Sequence, residues 1–331
     1  MNDRSQLLEQ WLQQSGYRNY RLQRASEDAS FRSYLRLETA EQSMIVMDAP
    51  PEHEPCDRFI AVANKLRAAG LNAPQIIASN LEDGFLLLTD LGSVDYLSQL
   101  DPQSEGRLYA DALAALLTMQ TQADKVDLPD YDEALLLREM DLFHDWFLVQ
   151  QLGIELNSAQ QSIWQEIRQM LVDNARAQPQ VFVHRDHHSR NLMVVDQHNP
   201  GILDFQDAVS GPLTYDLVSL LRDCYIAWPL ARVEQLAIGY HQSARAQQLV
   251  EVDAVQFMRW FNLMGIQRHL KVAGIFSRLN IRDGKPRYLA DIPLTLGYLQ
   301  QVSALETSTA GLSALLDELQ LQQLVAAQLR A

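Results

Sequence analysis

Val183-His184-Arg185-Asp186-His187-His188-Ser189-Arg190-Asn191-Leu192, and after it Ile202-Leu203-Asp204-Phe205-Gln206-Asp207, decide how this chain is read. The first stretch lies between two strand-like runs, Val181-Phe182-Val183 and Leu192-Met193-Val194-Val195, so it reads as a loop. Asp204 stands directly after another short apolar run, Gly201-Ile202-Leu203. Phosphoryl transfer needs a carboxylate to accept a hydroxyl proton and oxygen ligands to hold magnesium against phosphates. An His-x-Asp with Asn five residues after the Asp, then Asp-Phe at the next strand end, supplies those groups in that order. The cluster His184, Asp186, His187 and His188 is also rich in metal ligands, as a metallohydrolase would be. That reading leaves Asn191 and Asp204 without a task and finds no second histidine cluster downstream.

Upstream, residues 5–15 carry Leu7, Leu8, Trp11 and Leu12 on one face of a short helix. Strand patterns follow at Tyr20-Arg21-Leu22, Phe31 to Leu37, Met44-Ile45-Val46-Met47, Ile76-Ile77-Ala78 and Phe85-Leu86-Leu87-Leu88, with a helix over 56–69 between the third and fourth. After Asp90-Leu91-Gly92 the pattern turns helical, over 104–122, 133–151, 158–177, 213–226, 231–246 and 253–279. The expectation is an α+β, bilobal chain: residues 1–91 a small antiparallel sheet lobe, residues 92–331 a larger, mainly helical lobe, with ligands in the cleft.

Composition narrows the classes. The 331 residues are 47% hydrophobic and 21% charged, an ordinary globular balance. No stretch approaches the roughly 20 apolar residues of a membrane helix. The opening MNDRSQLLEQWLQQ is polar and amphipathic, unlike a signal peptide. Cys56 and Cys224 are the only cysteines, which predicts free thiols in a reducing cytoplasm rather than a disulfide framework. A net charge of −15 argues against a nucleic-acid surface. The expected protein is cytoplasmic and monomeric, with neither nucleic acid nor membrane as partner.

HRDHHSRN followed by LDFQD resembles the catalytic and metal loops of the kinase-like phosphotransferases that include aminoglycoside and choline kinases. The resemblance covers nearly the whole chain and implies a protein-kinase-like fold using ATP and Mg2+. It makes Asp186 the catalytic base, Asn191 and Asp204 the magnesium ligands, and His184 the brace of the loop. The loop over the ATP phosphates becomes Ala25 to Arg32, without glycine, where Ser30 and small neighbours admit backbone amides. On the third strand, beside Ile45, Met47 stands where the family usually has a phosphate-holding lysine. Arg32 is the candidate cation in its stead. Were no cation to serve there, the chain would bind nucleotide without catalysis; intact Asp186, Asn191 and Asp204 argue against that. Thr89 and Leu91 are expected to offer backbone groups to adenine.

Two patches address the acceptor. Arg138, Asp141 and Asp145 are expected along one helix face, with Glu139 in the same run and Trp146 beside it, a combination suited to a sugar. Gln267, Arg268, His269 and Lys271, with Arg278 and the loop Arg282 to Arg287, concentrate positive charge in an acidic chain and suit an anionic group. His187 and Asp207 complete the acceptor candidates. SEDASFRSYLRL, MIVMDAPPE and QRHLKVAGIFSRL resemble, more closely, the bacterial cell-wall kinases acting on the anomeric hydroxyl of N-acetylmuramate and N-acetylglucosamine, a group in which methionine at the strand-lysine position is familiar. Aminoglycoside, choline and homoserine-type acceptors remain as alternatives.

Overall fold

The structure is a computed structural model and describes residues 3–26 and 31–329. In chain order it has α1 (Asp3–Gln14), β1 (Arg21–Ser26), β2 (Ser33–Glu38), β3 (Ser43–Asp48), α2 (Asp57–Ala68), β4 (Ile76–Asn80), β5 (Phe85–Thr89), α3 (Tyr96–Gln99) and α4 (Glu105–Gln122). Then α5 (Glu133–Leu142) runs into a π-helix, Phe143–Gln151, followed by α6 (Ser158–Arg176), β6 (Gln180–Val183), β7 (Leu192–Met193), β8 (Gly201–Ile202), β9 (Val209–Pro212) and α7 (Tyr215–Leu221). Helices α8 (Leu230–Ala246), α9 (Ala254–Ile281), α10 (Ile292–Ser303), α11 (Ala310–Glu318) and α12 (Leu321–Gln328) complete it. The architecture is α+β, as expected: an antiparallel five-stranded sheet, then mainly helix. Secondary structure changes character after β5, whereas compactness groups the residues up to Asp124 with Arg190–Asp207, and Lys125–Ser189 with the residues from Ala208 on.

In the first unit the strand order is β1-β2-β3-β5-β4, all neighbours antiparallel. Side chains alternate across a strand, so Leu37, Met44, Val46, Phe85 and Leu87 share one face. Leu8, Trp11 and Leu12 of α1 cover it. Trp11 stacks on Phe85 at 5.7 Å. Ile45 and Met47 alternate to the opposite face, where Met47 is also fully buried. The β7–β8 hairpin belongs to this unit, pairing Leu192 with Ile202. The Leu203 amide donates to the Asn191 carbonyl at 2.9 Å, which fixes the segment that carries both residues.

The second unit is organised around α9. Its Asp253 cap accepts from the Gln256 amide at 2.9 Å. Every residue from Trp260 to Gly274 is buried, so this helix has no solvent face over that span. That is why Gln267, Arg268, His269 and Lys271 are interior groups that need interior partners. A Cβ on Gly274 would lie 2.3 Å from the Leu142 carbonyl carbon, so only glycine allows α9 to meet the end of α5 backbone to backbone. The single helix expected over 133–151 changes at that point to a π-helix. The wider turn keeps Phe143, Phe147 and Leu148 together on the buried side. Helix α7 is shorter than expected, ending at Leu221, because the Asp223 carboxylate turns the chain by accepting from the Tyr225 amide at 3.0 Å.

Gly274→Ala is expected to lower stability by about 1–3 kcal/mol, the usual cost of overpacking. A thermal melt with an unchanged midpoint would contradict the close approach.

Candidate active site

The loop around Asp186 is shaped by a carboxylate that is not itself the base. Asp216, fully buried at the start of α7, accepts from the amides of His184 at 2.6 Å and Arg185 at 2.9 Å. Burial pushes its carboxyl up to about 7 against the pull of those amides, and nearby Asp186 adds to the rise. With its backbone so held, Arg185 takes φ of +79°, a left-handed conformation that costs a non-glycine residue. The Asp186 amide donates to Nδ1 of buried His184 at 3.3 Å, and the His188 amide to the Asp186 carbonyl at 3.0 Å. The Ser189 amide, 2.9 Å from the Asp223 carboxylate, closes the loop.

Around this loop lies a buried ion cluster. Glu139 of α5 pairs with Arg185 and, at 3.1 Å, with Lys271 of α9, while Tyr131 donates its hydroxyl to it. Lys271 also donates to the Tyr215 hydroxyl at 2.9 Å. Burial pushes the Glu139 carboxyl up, but Lys271 and Arg185 outweigh it and hold it below the ordinary range. Asp186, half-buried, gains in the same way: burial raises its carboxyl, and the charges of Lys271, His188, Arg185 and Arg268 bring it below the usual value. Asp186 is therefore ionised at neutral pH, as a base must be.

The first unit holds the other two chemical residues. Asn191 Nδ2 lies 3.3 Å from Asp204 Oδ2, and Gln206 donates to Asp204 Oδ1 at 2.8 Å. Asp204 adopts φ of +61°. An amide and a carboxylate side by side form an oxygen-donor set that suits magnesium, an ion that takes few protein ligands and completes its shell with water and phosphate. Among the described residues, no three of His, Cys, Asp or Glu are arranged to hold a metal, which leaves the hydrolase alternative without support. His184 and His187 instead meet edge to face at 5.7 Å.

Of the nucleotide candidates, Ser30 lies outside the described residues. Arg32 pairs with Glu54 at 2.7 Å. Ile45 faces Leu88 across the sheet, and Met47 is enclosed between Tyr34 and Leu86. The Thr89 amide already donates to the Gln75 carbonyl at 3.0 Å. Leu91 is half-buried, beside an anchor the sequence reading missed: Arg36 reaches from β2 to Asp90 at 2.6 Å and to the Gly92 carbonyl at 2.8 Å. Burial raises the Asp90 carboxyl, but Arg36, Ser43 and the Gly92 amide hold it low.

The acceptor candidates separate. Arg138 is exposed, and Glu139 belongs to the ion cluster. Asp141 pairs with Arg168 at 2.7 Å, and Asp145 with His144, because the π-helix ends the common face expected for Arg138, Asp141 and Asp145. Trp146 is half-buried; His187 is fully buried; Asp207 is exposed, 3.8 Å from Arg58. Arg268 is buried within the electrostatic reach of Asp186. His269 faces the other way, donating from Nε2 to the Arg222 carbonyl at 3.0 Å and stacking on Tyr298 at 4.8 Å. Burial and the charge of Arg268 push its imidazole down to about 3. Asp216, which the sequence reading missed, had a legible signal: it is a charge set inside the apolar run Tyr215-Asp216-Leu217-Val218.

The chain belongs to the phosphotransferase enzyme family, whose model matches residues 21–251. Relatives named N-acetylmuramate/N-acetylglucosamine kinase are 47% identical over 297 residues in Pseudomonas putida, covering 89% of this chain and 87% of the relative, and 43% identical over 320 residues in Neisseria meningitidis, covering 94% and 95%. The fold is shared with the ADP-bound aminoglycoside phosphotransferase APH(2'')-Ib, at a TM-score of 0.60 and 13% identity, covering 91% of this chain and 99% of that one. It is shared also with the choline kinase LicA from Streptococcus pneumoniae, at a TM-score of 0.61 and 12% identity, covering 90% and 99%.

Glu139→Gln leaves two buried cations short of a counter-charge, which is expected to cost about 3–5 kcal/mol at neutral pH. The Glu139 carboxyl is depressed in the folded chain, so its contribution is present above the unfolded pKa of about 4.3 and lost as pH falls through the lower folded value. Thermal midpoints of the variant and the unmodified protein should therefore converge in acid; a gap that persists there would refute the ion cluster.

Proposed function

We propose that this chain is an ATP-dependent kinase that phosphorylates the anomeric hydroxyl of N-acetylmuramate and of N-acetylglucosamine, returning cell-wall amino sugars to use in peptidoglycan recycling. The observation that carries the proposal is the ionised Asp186 set among cations, in a chain whose relatives of nearly full length bear that name. Its place of work is the cytoplasm; no helix among the described residues is long and apolar enough to cross a membrane.

On this reading Asp186 accepts the proton of the anomeric hydroxyl as its oxygen attacks the γ-phosphorus of ATP, and ADP leaves. Asn191 and Asp204 hold magnesium, which supplies charge neutralisation to the phosphates. Gln206 orients the Asp204 carboxylate through its hydrogen bond. Arg36 and Asp90 keep the backbone from Asp90 to Gly92 in one conformation, as reading an adenine edge by backbone groups requires. Arg32, held by Glu54, is the cation nearest in sequence to the phosphate loop and takes the duty of the missing strand lysine. The catalytic lobe begins after residue 91, and the acceptor is met by side chains of α5 and α9.

The test is a panel of N-acetylmuramate, N-acetylglucosamine, an aminoglycoside and choline with magnesium-ATP, with the phosphorylated carbon identified. Phosphate at the anomeric carbon of the amino sugars is expected; transfer to the aminoglycoside or choline alone would overturn the reading. Asp186→Asn should lower kcat by orders of magnitude while sparing ATP affinity, and Asp204→Ala should weaken magnesium-ATP binding. Wild-type turnover in the first variant, or unchanged nucleotide affinity in the second, would remove those assignments.

A further inference from the structure

Arg268, Lys271, Ile275 and Arg278 follow one another at three-, four- and three-residue steps, which places them on one stripe of α9. The stripe begins inside: Arg268 and Lys271 are buried and both act on Asp186. It then opens, since Ile275 and Arg278 are half-exposed while Phe276 and Ser277 beside them are buried. Arg278 lies two turns beyond Lys271, about 10 Å along the axis. A hexose with an acidic arm, met by the arginine's own long side chain, can bridge that distance.

Arg278 is a guanidinium without an acid. Among the described residues it has no ion pair, and its buried Nε has no hydrogen-bond acceptor. Asp283, the acid near it, is taken in two bonds by Arg282, at 2.7 and 2.9 Å. Burial lowers the proton affinity of Arg278 and the positive charge of Arg282 lowers it further, an effect that the Asp283 carboxylate offsets only in part. A half-buried cation with free donors, in a chain of net charge −15, is unfavourable unless an anion arrives to meet it. The two sugars named for the relatives differ in one group that answers this need: a lactyl ether carboxylate, present in the muramate and absent from the glucosamine.

We propose that Arg278 receives the carboxylate of the acidic amino sugar and so sets the preference between the two acceptors, an inference that rests on the sugar-kinase reading above. Lys271 is occupied by Glu139 and Tyr215, and Arg268, whose Nε and Nη1 have no hydrogen-bond partner, is closed off from solvent, which leaves Arg278 as the cation of this stripe that solvent and a ligand can reach.

The experiment measures kcat/KM for N-acetylmuramate and N-acetylglucosamine with magnesium-ATP for the full chain and for Arg278→Gln and Arg278→Lys. In Arg278→Gln the muramate-to-glucosamine ratio should fall about 10- to 100-fold, chiefly through KM for the muramate, with part regained in Arg278→Lys. Turnover of N-acetylglucosamine by the same preparation reports that the variant is folded. A ratio unchanged within about twofold, with both sugars turned over by the unmodified chain, overturns the inference and leaves the sugar-kinase reading standing. An unmodified chain that phosphorylates neither sugar overturns both.

Discussion

Glu139 is a carboxylate with almost no access to water, and much of the second unit is arranged so that it keeps its partners. It touches both Arg185 of the Asp186 loop and Lys271 of α9. Without it those two cations would face each other across a dry interior. With it they become a fixed pair of positive charges beside the Asp186 carboxylate. Tyr131 and Tyr215 complete the shell by hydrogen bonds to Glu139 and Lys271. Buried ion pairs add little net stability against an apolar alternative. What this one contributes is register: α5, α9 and the loop can meet in one way only, and Gly274 sets how closely.

The same charges keep Asp186 ionised, as the base proposed here must be. A half-buried carboxyl alone would bind its proton more tightly than in water. Here Lys271, His188, Arg185 and Arg268 more than offset that effect. Asp216 is needed for a different reason: it accepts two backbone amides, and its own carboxyl rises because it gains no cation of comparable strength. Two buried acids some thirty residues apart in sequence are thus driven in opposite directions by their surroundings, one toward ionisation and proton acceptance, the other toward holding backbone.

Much of this was legible in the sequence, unevenly. Period-two apolar runs gave the strands of the first unit because one face of each is buried under α1, and Trp11 already stood on the matching helix face. The order and spacing of Asp186, Asn191 and Asp204 marked them out as candidates, and the structure sets Asn191 beside Asp204. The basic run on α9 was visible but misleading, since periodicity does not separate a charge facing a ligand from one neutralised by an acid distant in sequence; Glu139 lies 132 positions before Lys271 in the chain. The π-helix could not be read at all, because it depends on where α9 touches Leu142. The helices after residue 281 went unassigned for a plainer reason: their apolar residues complete faces of a core whose other side comes from elsewhere in the chain.

The setting of Met47 on β3 explains why a methionine stands there rather than a lysine. Met47 is fully buried and its cross-strand partners are Tyr34 and Leu86. A lysine there would lose its hydration in an apolar setting and would tend to give up its proton. Methionine fills the same length of side chain at no such cost. Arginines stand instead where an acid is at hand to hold them: Arg32 with Glu54, and Arg36 with Asp90. Both arginines flank or lie on β2, the strand that pairs with Met47's own. Cations placed with their acids in this way let the interior of the sheet around Met47 remain apolar.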